Sequence, residues 1–236
     1  MSEATRGVAE PLLDTLLRFA TGSVGSKVVM AVTGAGLWLF LLAHLAGNST
    51  IYLGRDTFNH YSSALHQTPV LLWFVRLCML IGVPVHVLAA SQSTLVNRAA
   101  RPVPYAHGNR TPARMSAKSM ILTGLTFLAF FIYHLAHFTW RLTGPMPPPL
   151  PSGEFDPYTM VVLGFRQPVI AGTYVVGVGL LAVHLSHGLH SMFQHLGIWG
   201  PRWTPWLKSA ARVLAYGLCA LFASIPVSVL LGAVKP

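Results

Sequence analysis

The sequence predicts an all-α membrane protein: a bundle of five transmembrane helices with its N-terminus cytoplasmic and its C-terminus outside. Three observations predict it. Charge is scarce, since 53% of the 236 residues are hydrophobic and only 9% are charged, against about 25% charged in a soluble domain; mean hydropathy is +0.56. Five separate apolar runs cover approximately residues 28–47, 70–91, 119–140, 168–190 and 211–231, each near the ~20 residues a helix needs to cross a core about 30 Å thick. Basic residues collect in alternate connections: eleven (Arg6, Arg18, Lys27, Arg98, Arg101, Arg110, Arg114, Lys118, Arg202, Lys208, Arg212) against five (Arg55, Arg76, Arg141, Arg166, Lys235). That bias places the first set in the cytoplasm.

This composition excludes a soluble enzyme, a disordered chain and a disulfide-stapled module. The net charge of +10 sits between apolar runs and reads as topogenic, so no nucleic-acid partner is expected. Cys78 and Cys219 both fall inside apolar runs, without metal-ligand spacing, and read as small buried hydrophobes. The chain reads as one transmembrane domain, multi-pass in a prokaryotic cytoplasmic (inner) membrane.

Residues 1–27 form a cytoplasmic N-terminal segment. Its Pro11–Ala20 stretch is interrupted by Asp14 and Arg18, which argues against a signal peptide. Leu12, Leu13, Leu16, Leu17 and Phe19 suit an interfacial helix on the membrane surface, or a docking segment for a partner subunit. The runs that follow are rich in Leu, Val, Ala and Gly, and in lipid only a helix satisfies its own backbone; the alternation of a membrane barrel is absent. Gly34 and Gly36 in the first run and Gly172, Gly177 and Gly179 in the fourth allow close helix packing, or a flat cofactor against the backbone. Pro84 in the second and Pro226 in the fifth should kink or loosen their helices. The outer connection from Thr143 to Gln167 is Pro-rich and carries Glu154 and Asp156. No internal repeat is evident.

Eleven histidines are the anomaly in so apolar a chain. Ionisable groups inside a membrane are costly, so each is a functional candidate. The first four runs hold His44, His86, His134 with His137, and His184 with His187 and His190; the fifth holds none. Helical rise sorts them by depth. His44 lies about 24 Å, and His134 about 22 Å, along outward-running helices. His86 and His184 each sit 16 residues into inward-running ones. The four therefore form two pairs, His44 with His134 outside and His86 with His184 inside, roughly 18 Å apart. Two histidine pairs facing across a bundle are the ligand geometry of two b-type haems. A zinc or copper cluster would gather its ligands in one layer. A proton-relay transporter would place acids among them, whereas all six acids (Glu3, Glu10, Asp14, Asp56, Glu154, Asp156) lie outside the runs.

His137, one turn from His134, is the rival ligand. His187 and His190 lie nearer the inner surface, where a headgroup, a propionate or a quinone could satisfy them. His60, His66, His107 and His195 read as solvated. Arg76 falls near the outer histidine layer and Arg141 at the outer boundary; either could pair with a haem propionate, or snorkel to headgroups.

The stretches LLAHLAGN (41–48), IYHLAHFTW (132–140) and VHLSHGLHSMFQHLG (183–197), with the connecting FNHYSSALH (58–66), resemble the cytochrome b membrane anchor of succinate dehydrogenases and fumarate reductases, of the single-chain, five-helix, dihaem type. The resemblance covers nearly the whole chain. It implies axial ligands at His44, His86, His134 and His184, two haem b, and a flavoprotein and an iron–sulfur subunit docked on the cytoplasmic face. Dicarboxylate chemistry would belong to the flavoprotein, and this chain would pass electrons between the iron–sulfur subunit and a quinone, menaquinone or ubiquinone, in a respiratory chain or the tricarboxylic acid cycle. One departure matters. The second run contains no acid, and Ala182 and Val183 precede His184, so a quinone site or proton path built on span carboxylates is in doubt. Ser26, Lys27 and His190 stand instead as candidates for a quinone or propionate near the cytoplasmic boundary. The nearest rivals are anchors of nitrate reductase, hydrogenase or formate dehydrogenase; a haem-free transporter using its histidines for protons or metals is a rival from another class.

Overall fold

The structure, a computed structural model, describes residues 3–100, 112–150, 153 and 155–236. Arg101, His107, Arg110 and Glu154 lie outside the described residues. Among those described there are eight α-helices and no strand: α1 (Glu3–Thr21), α2 (Gly25–Ser49), α3 (Arg55–His66), α4 (Pro69–Ala99), α5 (Pro112–His134), α6 (Pro157–Phe165), α7 (Pro168–His195) and α8 (Thr204–Leu230). A 3-10 turn (Thr50–Leu53) extends α2, and a π-helical turn (Leu135–Thr139) extends α5. Five segments, Gly25–Leu53, Pro69–Ala99, Ser119–Thr139, Pro168–His195 and Thr204–Leu230, are long and apolar enough to cross a membrane. The protein is an all-α, five-span membrane protein.

Most of the helices outrun their apolar segments. α2 continues through Asn48 and Ser49, and α4 through Asn97 and Arg98, because the backbone ladder need not stop where the hydrocarbon does. Prolines in the first turn open α4, α7 and α8, where no N–H partner is lost. Pro84 and Pro226 sit inside α4 and α8, and both helices run on through them.

α2 packs against α4 and α7, and α7 in turn against α5 and α8, while α4 and α5 meet only sparsely. α4 turns Val70, Phe74, Leu80 and Leu88 outward, each more than 60% exposed, as a lipid-facing helix does. At the start of the bundle α1 turns back on α2 through Gly25, where any Cβ would collide with the Phe19 backbone. Leu12, Leu16, Leu17 and Phe19 of α1 stay exposed.

The opposite end carries a cap. Ile51 and Phe58 pack with Tyr158, Val161, Val162 and Phe165 of α6, and with Ile225 and Val229 of α8. Its polar fastening is Asp156, only 1% exposed. This carboxylate caps α6 by accepting from the Thr159 amide at 3.1 Å, and it accepts from Asn59 Nδ2 at 2.9 Å and Arg55 Nε at 3.0 Å. A second guanidinium nitrogen of Arg55 closes the ion pair. Asn59 Oδ1 accepts from the Tyr158 amide at 3.0 Å, so α3 and α6 are tied through both ends of one asparagine. Burial alone would raise the Asp156 pKa; hydrogen bonds from the Thr159 hydroxyl and amide, Asn59 and Arg55 outweigh it and hold the group at about 2.

Candidate functional site

Four histidines lie along the bundle at two levels. The near level lies towards the end where the chain begins; the far level lies under the cap. At the far level, His44 of α2 and His134 of α5 face each other edge-on, ring centroids 5.9 Å apart and planes at 87°. Helices 90 residues apart in sequence thus deliver two imidazoles to one height. Aromatic rings enclose the pair: Phe40 stacks on His44 at 5.3 Å, Phe222 of α8 approaches it at 5.8 Å, and Phe130, Phe138 and Tyr174 surround His134.

At the near level, His86 of α4 and His184 of α7 are close enough to interact electrostatically. Each abuts the helix that carries a far-level histidine. His86 Nδ1 lies 3.1 Å from Thr33 Oγ1 on α2, and His184 Nδ1 lies 3.4 Å from Thr123 Oγ1 on α5. The residue after each threonine is glycine. A Cβ at Gly34 would lie 3.3 Å from His86 Cε1, and one at Gly124 would lie 3.1 Å from His184 Cε1. Absence of a side chain is what lets both rings press against the neighbouring backbone.

This matched geometry exposes a repeat, and it corrects the expectation that none exists. Thr33-Gly34, Phe40 and His44 recur at identical spacing as Thr123-Gly124, Phe130 and His134. Thr33 precedes His44 by 11 residues, so the two levels stand about 16 Å apart along α2. The signal was present in the sequence. It was hidden because the residues between the fixed positions differ between the copies and are mostly apolar.

His137 goes elsewhere. The π-helical turn closes with Trp140 N donating to Leu135 O at 2.8 Å, and its extra residue per turn rotates His137 off the His134 face. His137 is 1% exposed, stacks on Phe138 at 4.0 Å and shares a 3.0 Å hydrogen bond between its Nδ1 and the Tyr174 hydroxyl. Its Nε2 has no partner and is directed at Gly144 and Gly164 in the cap. The structure brings His134, not His137, to His44.

The remaining candidates are placed as follows. Arg76 is exposed and lies over the Trp73 ring of its own helix at 5.1 Å; it is not brought to the far pair. Arg141 lies over Phe155 at 3.7 Å. Ser26 is buried at the start of α2. His190 meets His187 edge-on at 4.8 Å. His195, Lys208 and Arg212 lie near these two histidines, and Lys27 lies near His195, at that same end of the bundle. Ser26, Lys27 and His190 therefore lie at one end of the molecule, but among the described residues no hydrogen bond joins them.

The donor set can be tested against the group it suggests. An imidazole nitrogen sits about 2 Å from a first-row metal, so a metal bound between two imidazoles leaves their centroids about 6 Å apart, close to the far-pair separation. Among the described residues no three His, Cys, Asp or Glu side chains converge on one point. A bare cation would find two protein ligands at the far level, whereas a porphyrin brings four nitrogens of its own and needs two; the number and spacing of the far-level imidazoles suit that need. No family model, no curated protein and no solved structure matches this chain.

Proposed function

We propose that this protein is a dihaem cytochrome b, the membrane anchor of a succinate:quinone or quinol:fumarate oxidoreductase. Its role is to carry electrons between an iron–sulfur partner and a membrane quinone. One observation carries the reading: His44 and His134, on separate helices, oppose each other at a spacing that suits two axial ligands of one iron. When bound, haem supplies reversible one-electron chemistry with both axial positions filled, and so no oxygen activation.

The chain's own residues have distinct tasks in this reading. α2 and α5 hold the far ligands, and α4 and α7 the near ones. Phe40, Phe130, Phe138 and Tyr174 keep water from the far level. The basic charge bias puts the near level on the cytoplasmic side, where a flavoprotein and an iron–sulfur subunit would dock. Ser26, Lys27 and His190 at that end are the candidates for a quinone or a propionate.

The test is a dithionite-reduced minus oxidised spectrum of the purified complex, with haem-to-protein stoichiometry and identification of co-purifying subunits. Two protohaems per chain with a flavoprotein and an iron–sulfur protein are expected. A molybdenum or nickel enzyme as partner would move the chain to another class of respiratory anchor. A colourless preparation would overturn the cytochrome reading and favour a transporter.

A further inference from the structure

The near-level histidines are held in a way the far-level ones are not. Thr33 Oγ1 donates to the carbonyl of Val29 at 2.7 Å, with that of Met30 also close at 3.2 Å. Thr123 Oγ1 lies equally within reach of the carbonyls of Ser119 and Met120, at 3.0 and 3.2 Å. A hydroxyl has one proton, and the nearest acceptors for it are carbonyls of its own helix, which leaves the oxygen to accept from the histidine. An accepting hydroxyl requires that Nδ1 carry the proton. In a neutral imidazole that leaves the lone pair on Nε2.

Backbone bonding by threonine is common in this chain, as at Thr94, Thr126 and Thr173. Of the threonines bonded in this way among the described residues, only Thr33 and Thr123 also meet a histidine nitrogen of another helix. The far pair has no such hold. Among the described residues the one side chain hydrogen-bonded to the His44 ring is Asn48, on its own helix, 3.4 Å from both ring nitrogens and bonded at 2.8 Å to the His44 carbonyl; His134 is ringed by aromatics.

We infer that Thr33 and Thr123 are positioning residues for the near histidines, fixing the Nδ1–H tautomer so that Nε2 is the ligating nitrogen and lowering the reduction potential of the iron held there. The inference rests on the dihaem reading. Its physical basis is that an acceptor on Nδ1–H makes the imidazole a stronger donor to iron and favours the oxidised state. The second-helix and fourth-helix histidines would thus be tuned by the first and third.

The experiment is a potentiometric titration of the purified complex carrying Thr33→Val, Thr123→Val or Thr33→Ser, with haem content measured in parallel. Each valine variant is expected to raise the potential of the same one of two haems, leave the other unchanged, and weaken retention of that haem by about tenfold. Thr33→Ser keeps the hydroxyl and should return the wild-type potential. Two haems with both potentials unmoved in both valine variants would overturn the inference and leave the dihaem reading standing; a wild-type complex without haem would overturn both. Should the valine variants fail to assemble, hyperfine spectroscopy of the oxidised wild type after transfer to deuterated buffer decides. Slow exchange of the Nδ1 protons on one haem's ligands supports the hold, and prompt exchange on both haems refutes it.

Discussion

Asp156→Ala tests how the cap is fastened, independently of any cofactor. The substitution removes a carboxylate that accepts from the Thr159 amide, Asn59 Nδ2 and two nitrogens of Arg55. Loss of the helix cap costs about 1 kcal/mol. Charge-assisted bonds to Arg55 add about 1–2 kcal/mol, toward the lower end because Arg55 is half exposed and water can replace its partner. The sum is about 2 kcal/mol, or roughly 4–8 °C in melting temperature for a chain of this size. Asp156→Asn keeps a capping oxygen and should lose about half as much. The assay is thermal exposure of Cys219, which is 3% exposed, read by a fluorogenic maleimide in detergent after Cys78→Ser removes the exposed thiol. The pH dependence follows in sign. A carboxyl held at about 2 contributes its full stability above its ordinary pKa of about 4 and loses it as pH falls through about 2, so the wild-type advantage over Asp156→Ala should shrink across that window. Equal melting of wild type, Asp156→Asn and Asp156→Ala at neutral pH would refute the fastening role.

Other perturbations discriminate within the bundle. On the proposed dihaem reading, His134→Ala should reduce haem from two per chain to one, while His137→Ala should keep both haems and lower the melting temperature, because the second residue fills the cap rather than facing His44; pyridine haemochrome assay separates them. Gly177→Ala would drive a Cβ onto the Phe130 ring and should cost about 1–3 kcal/mol by overpacking. Gly179→Ala meets nothing within 4 Å and should gain up to about 1 kcal/mol of helix propensity; the thiol-exposure assay reads both. Gly124→Ala places a Cβ 3.1 Å from His184 Cε1, so the ring must give by a few tenths of an ångström, and a change confined to the spectrum of one haem is expected.

The five spans were legible because apolar length is a property of composition. The pairing of His44 with His134 was legible because rise per residue converts sequence position into depth. Rotation was not. Depth alone left His134 and His137 as rivals, and the choice between them depends on a π-helical turn at Leu135–Thr139 that no residue pattern announces. Arg76 shows the same limit: its depth suited the far level, but its side chain lies over Trp73 on the exposed face of α4. The cap was illegible for another reason. Asp156 lies about 100 residues from Arg55 and Asn59 in the chain and meets them only because the connection after α5 folds back as α6.

The repeat explains why two levels arise at all. One unit consists of a helix with threonine-glycine low and histidine high, followed by a returning helix that brings a histidine down to the threonine. α2 with α4 is one copy and α5 with α7 the other. Within a copy the two histidines cannot meet, since the returning one is fixed at the threonine, about 16 Å below the other. Pairs therefore form only between copies, high with high and low with low. Neither copy completes a bis-histidine site alone, which makes each site an interface between halves. The contacts between halves run chiefly through α2 and α7, while α4 and α5 scarcely touch. A ligand held at each level would join the two copies there and thus add the cross-links the protein backbone leaves sparse. Haem loading should then raise the unfolding temperature of the bundle by more than it stabilises either half expressed separately, and equal stabilisation of the halves would contradict this assembly logic.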